Sequence, residues 1–203
     1  TASLDAGYDR EDYDFNVVVT PYCSGNSAAG VGYVGYSGAW LNLAATDYDP
    51  SIIHEVGHNF GANHASYVDK DDDGGVTGLY DDDDSWYEYG NLYSPMGSAQ
   101  MTKTDSSGHY TVEGKATFDW IDDSNLEQVV PYDDDGTPLC TPCEFDVQST
   151  TSGKLDDGFP VGLQIETAAD DFYLFVEYRS ESPYGHAGGL LTWSGFSYNS
   201  ASS

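Results

Sequence analysis

Basic residues are scarce in this sequence: Lys and Arg together number 6 in a chain of 203 residues, against 35 Asp and Glu, for a formal net charge of -29. Such a surface repels phosphate backbones and anionic lipid headgroups, which excludes nucleic acid and membranes as partners. Long apolar runs are missing too, so no segment is suited to span a bilayer. The opening residues lack the pattern of a signal peptide, and a start at Thr1 without Met is expected of a mature form or a fragment. Cysteine is sparse. With 3 in the chain, Cys23, Cys140 and Cys143, at least one stays unpaired unless its partner lies in another chain. Cys140-Thr141-Pro142-Cys143 could close a small-loop disulfide in an oxidising compartment or supply half of a metal site. With no second half in view, the disulfide is the favoured reading.

What is present fits a folded protein. An apolar fraction of 39% is that of a globular chain, long enough for one sizeable core or for a domain with a smaller companion. Of the acids 26 are Asp and 9 are Glu, which places the charge mainly on turns and loops. The simplest account is a solvated acidic surface suited to salty water, with calcium binding as its competitor. Residues 13–20 read as a strand and 31–45 as one or two more, separated by Gly-rich turns. Asp49-Pro50-Ser51 then opens a helix carrying Ile52, Ile53, Val56 and Phe60. Residues 66–95 read as loop, and 111–121 as a modest helix. After about residue 122 the texture changes to short β-branched and aromatic runs, among them 143–150, 161–168 and 171–179, which predicts antiparallel β structure.

Three of the 5 histidines fall within eleven residues, in His54-Glu55-Val56-Gly57-His58-Asn59-Phe60-Gly61-Ala62-Asn63-His64. Positions i and i+4 of a helix lie about 40° apart around the axis, so His54 and His58 point the same way and can share a cation. Glu55 follows the first ligand, where its carboxylate can take a proton from a water at the metal without being a ligand itself. His64 is six residues beyond His58, and a continued helix would turn it away by about 240°. The helix must therefore stop between them, and Gly61 can take the positive φ of a helix-ending turn. Three neutral imidazoles and an open fourth position is the arrangement of catalytic zinc rather than of a closed structural site. Five fixed positions of this kind arise by chance in a chain this long at about one in 10⁵ or less.

The motif HEVGHNFGANH resembles the zinc signature of metzincin metalloendopeptidases, in which a methionine-containing turn lies beneath the metal. Tyr93-Ser94-Pro95-Met96-Gly97 is the candidate Met-turn, with Met96 thirty-two residues after His64. Within the metzincins the chain looks most like the gametolysin-like, algal cell-wall-lytic family. GVGYVGYSGAWLN is similar to that family's Gly-rich strands, YGNLYSPMGS to its Met-turn region, and FDWID to the helix end that follows. FYLFVEYR is similar to a strand of these and of the related immune-inhibitor-like proteases. The likeness is close over roughly residues 15–122 and loose over 123–203. Gametolysin-type signatures often carry Gln at the first ligand position, whereas His54 stands here and favours an ordinary three-His zinc site. Only 53 residues precede the motif, so early strands and a helix of a whole metzincin are expected to be missing. Some metzincins have Tyr two residues after the Met, where this chain has Ser98. Tyr89 and Tyr93 are the candidates for replacing it, with packing their default role.

The resemblance implies an α+β chain: a metzincin-like catalytic domain over 1–122, with a twisted sheet, an active-site helix and a Met-turn, then a β-rich region over 123–203 cut short at its end. It implies a secreted zinc endopeptidase acting on extracellular-matrix or cell-wall glycoproteins, with His54, His58 and His64 as metal ligands and Glu55 as the catalytic base. The strand at residues 31–37 would be the edge along which a peptide substrate lies. The chain is expected to be a monomer, and its negative surface favours neutral or cationic substrates. Asp69-x-Asp71-x-Asp73-Gly74 matches the opening of a calcium loop, but Tyr80 stands at the twelfth position where Glu is wanted, and a solvated acidic loop is the favoured reading. His109 and His186 are isolated, with surface or packing roles. The reading from another class is an acidic calcium-binding or matrix protein that kept a protease fold without activity. Retention of Glu55 argues against it.

Overall fold

Alternation along Ala39-Trp40-Leu41 sets the first sheet: Ala39 and Leu41 are buried and Trp40, between them, is exposed. The computed structural model describes residues 2–21, 29–43, 51–69, 85–91, 93–97, 109–133, 135–139, 143–150, 158–167, 172–180 and 189–196. They form a mixed α+β chain that divides into two compact units, Thr1–Gly108 and His109–Ser203. Among the described residues no helix is long and apolar enough to cross a membrane.

The first unit opens with a single turn α1 (Ala2–Asp5) and a 3-10 turn at Arg10–Asp12, then three strands: β1 (Val17–Pro21), β2 (Gly30–Gly32) and β3 (Ala39–Leu43). The order is β1-β3-β2, with β1 parallel to β3 and β2 antiparallel to it. Val18 and Val31 both lie opposite Trp40, so these three side chains form one exposed apolar row across the sheet. The other face carries Ala39 and Leu41, and helix α2 (Ser51–Asn59) packs on β2 and β3. Two short strands follow, β4 (Tyr67–Asp69) and β5 (Ser85–Tyr87), paired antiparallel with Tyr67 opposite Tyr87. This ribbon lies where sequence reading expects only loop, because three-residue strands are too short to show a period of two.

The second unit begins with helix α3 (Val112–Thr117), capped by Thr111, whose hydroxyl accepts from the Gly114 amide at 3.1 Å. A four-stranded sheet follows in chain order: β6 (Leu126–Val129), β7 (Gly162–Glu166), β8 (Phe172–Arg179) and β9 (Gly189–Phe196). The expectation of purely antiparallel pairing fails at one place: β6 runs parallel to β7. Residues 130–161 supply the long crossover that a parallel pair needs. The run 143–150, expected as a strand, forms no strand among the described residues; it meets β8 through an isolated bridge from Ser149 to Tyr178 and through hydrogen bonds of Ser149 and Thr150.

Val112, Leu126, Val161 and Phe175 form one buried cluster, and Val129, Leu163 and Val176 form a second. Gly162 lets α3 approach, since a Cβ there would meet the Val176 carbonyl at 2.8 Å and the Val112 side chain at 3.0 Å. The carboxylate of Glu177 is fully buried, accepts from the Val112 amide at 3.1 Å and from the Thr150 hydroxyl at 3.2 Å, and pairs with Arg179 at 2.7 Å. These bonds tie α3 to β8. They explain why the chain divides after Gly108 and not near residue 122, where composition shifts: α3 belongs to the second sheet's core.

Candidate metal centre

Helix α2 buries an unusual face. Its apolar residues Ile52, Ile53 and Val56 are only partly covered, whereas His54, Glu55, His58 and Asn59 are buried. Hydrogen bonds rather than apolar contact therefore hold this helix. The Asn59 side-chain amide donates to the carbonyls of Tyr33 at 3.1 Å and Gly38 at 2.9 Å, and the Gly35 backbone amide donates to the His58 carbonyl at 2.8 Å. Both fasten the turn between β2 and β3 to the end of α2.

The helix ends as its sequence predicts. Gly61 has φ 108°, its amide donates to the His58 carbonyl at 2.8 Å, and the Ala62 amide donates to the Gly57 carbonyl at 3.1 Å. This 5→2 and 6→1 pair is the Schellman closure, which needs a left-handed residue at the position Gly61 holds. The reversal brings His64 back, so that His54, His58 and His64 each offer one ring nitrogen and all three nitrogens lie within 4.8 Å of one another. The ring centroids form a near-equilateral triangle with sides of 4.7, 4.9 and 5.2 Å.

The opposite ring nitrogens carry the chemical argument. His54 Nδ1 lies 2.8 Å from the Pro95 carbonyl and His58 Nδ1 lies 2.7 Å from the Ala62 carbonyl. A carbonyl oxygen only accepts, so each Nδ1 bears the proton and each Nε2, in the neutral ring, presents a lone pair. Those two Nε2 atoms face each other at 3.1 Å. Two lone pairs at that distance repel unless a cation lies against both, and neutral imidazole is the form that ligates metals. Burial keeps them neutral: it lowers His54 to about 4, opposed by its bond to Pro95, and it also lowers His58. His64 Nδ1 lies 2.6 Å from Glu88 Oε1, which leaves Nε2 as the nitrogen it can offer. The donor set therefore fits a metal ion that accepts three nitrogen ligands.

Glu55 is buried against β2. A Cβ on Gly30 would lie 2.5 Å from its Oε1, and one on Gly32 would lie 2.5 Å from its backbone carbonyl. The strand can lie this close only because both residues are glycine. Burial pushes the Glu55 carboxyl up to about 7, against the pull of a hydrogen bond from the Gly32 backbone. A dication beside it would draw that value down.

The turn containing Met96 is fastened to the chain around two of the histidines. Met96 is buried, its amide donates to Ser94 Oγ at 3.2 Å, and its carbonyl accepts from the Ala65 amide at 2.8 Å. Asn91 donates in turn to the Ala65 carbonyl at 3.1 Å. Through Pro95 the turn holds His54, and through Ala65 it holds the backbone beside His64. Tyr89 lies with its ring 4.0 Å from that of His64 and 5.9 Å from that of His54. Burial, then Glu88 and Glu55, push its phenol above the usual range. Tyr93 is exposed, and its amide donates to Asn91 Oδ1 at 2.8 Å. Glu88 escapes sequence reasoning, because nothing in the run Trp86-Tyr87-Glu88-Tyr89 separates it from the other acids.

Asp71 and Asp73 lie outside the described residues, as do the Asp69 side chain, Cys23, Cys140, Ser98 and His186. The calcium expectation falls there with them. Cys143 is disulfide-bonded, and its partner is also outside the described residues. His109 belongs to the second unit. Compared with known proteins, the chain matches no family model, no curated protein and no solved structure.

Proposed function

We propose that the chain is a secreted, zinc-dependent endopeptidase of the metzincin kind, gametolysin-like, that cleaves peptide bonds in extracellular-matrix or cell-wall glycoproteins. The observation that carries this reading is the convergence of three neutral imidazoles with a buried carboxylate beside the first of them. His54, His58 and His64 would hold the zinc, and Met96 would sit in the Met-turn. Bound zinc supplies Lewis acidity, lowering the pKa of water and polarising a carbonyl. Glu55 takes the proton of the attacking water and passes it to the leaving amine, a role suited to a carboxyl whose affinity for protons is raised by burial. The outer edge of β2, next to Glu55, is where an extended peptide would pair main chain to main chain. The net charge of -29 favours neutral or cationic substrates over acidic ones.

Zinc content and cleavage of an unstructured cationic protein test the proposal. The wild type is expected to hold one zinc and to cut. Glu55→Ala is expected to keep the zinc and to lose about 10²- to 10⁴-fold in kcat/KM. A folded wild type that holds zinc but cuts no peptide would leave the acidic matrix-protein reading in its place.

A further inference from the structure

The three ligands are not held alike. His54 and His58 stand on a helix, and each is oriented by a backbone carbonyl. His64 lies beyond the helix end in irregular chain, and among the described residues the group hydrogen-bonded to its ring is the carboxylate of Glu88, at 2.6 Å. We propose that Glu88 is a positioning residue for the metal, fixing the tautomer and orientation of His64 so that Nε2 faces the ion. The proposal rests on the metal-site reading given above.

Local structure shows how Glu88 reaches that place. The register that sets Tyr67 opposite Tyr87 also sets Ser66 opposite Glu88, and Ser66 Oγ donates to the Glu88 carbonyl at 2.9 Å. Three residues further on, the Asn91 amide donates to the Ala65 carbonyl at 3.1 Å. The chain around Glu88 is thus fastened on both sides to the residues that follow His64. Tyr89 covers one face of the His64 ring, leaving the ring edge to the carboxylate. A carboxylate on Nδ1 makes the opposite nitrogen more basic and resists rotation of the ring, and loss of such a partner typically weakens metal binding about 10- to 100-fold. The bland alternative is a surface ion pair without influence on the metal, since the Glu88 side chain is 61% exposed.

That exposure makes the test clean, because removing Glu88 opens no core. Zinc affinity would be measured by competition with a chromophoric chelator for the wild type, Glu88→Ala, Glu88→Gln and Glu11→Gln. The last variant removes one negative charge from the same unit without touching His64, and so controls for general attraction of the cation. Glu88→Ala is expected to bind about 10- to 100-fold more weakly. Glu88→Gln should fall between it and the wild type, because an amide oxygen still accepts the Nδ1 proton but carries no charge. Glu11→Gln should match the wild type. The visible spectrum of the cobalt(II)-loaded protein should change in Glu88→Ala, which a residue of purely structural effect would not cause. Glu88→Ala and Glu88→Gln affinities equal to that of Glu11→Gln would overturn the role of Glu88 while leaving the metal site standing. A wild type that bound no zinc would overturn the metal-site reading itself.

Discussion

Gly30 and Gly32 sit against Glu55 for different reasons, and the difference can be measured. A methyl on Gly32 would run into the Glu55 backbone carbonyl, which cannot move without shifting α2. A methyl on Gly30 would first meet side-chain atoms of Glu55, Oε1 at 2.5 Å, Cγ at 2.7 Å and Cδ at 2.8 Å. Gly30→Ala should therefore displace the proposed base and leave the histidines in place. The expected outcome is a loss of about 10² in kcat/KM, the usual cost of a misplaced catalytic group, with zinc affinity within about twofold of wild type. Unchanged kcat/KM in a folded Gly30→Ala protein would show that Glu55 works from another rotamer. At this scale the sequence announces the pairing of His54 with His58, because i and i+4 on a helix can be computed from the chain alone. It does not announce Glu88, Pro95 or Gly30, whose roles depend on which backbone folds against the imidazoles.

Among the elements, α3 carries a group whose ionisation opposes folding. Glu113 lies in its first turn, and burial raises its carboxyl above the usual range, opposed by hydrogen bonds from the Thr111 and Thr117 hydroxyls. A carboxyl with a raised folded pKa contributes stability that is present below its unfolded value and lost as pH rises through the folded one. Glu113→Gln should then be more stable than wild type at pH 8, and the advantage should disappear as pH falls below the ordinary carboxyl range. Urea denaturation of the full chain at pH 4, 6 and 8 would check this; a constant difference across that range would contradict it. Helix α3 itself is legible in the sequence as part of the run 111–121, and the structure adds that Thr111 caps it and that it ends at Thr117. The β4–β5 ribbon is not, since its strands are three residues long and its pairing is decided at a distance in the chain.

Charge is the property that belongs to the whole molecule. A formal -29 from 35 acids and 6 bases makes the folded state repel itself, and mobile cations screen that repulsion over about 10 Å at 0.1 M salt. The thermal midpoint should rise as sodium chloride is increased from about 10 mM to 1 M, most steeply at the low end. A flat or falling melting curve by circular dichroism would show that the acids are already neutralised locally.

The sequence by itself determined the α+β composition, the helix that carries His54, Glu55 and His58, and the break at Gly61, because each follows from local geometry within a few residues. Only the tertiary structure decided that α2 buries its polar face, that two carbonyls and a carboxylate fix the three imidazoles, and that α3 belongs to the second sheet. Apart from the Ala62 carbonyl, four positions from His58, the hydrogen-bond partners involved lie from 21 to 65 positions away along the chain. No local pattern encodes such partners.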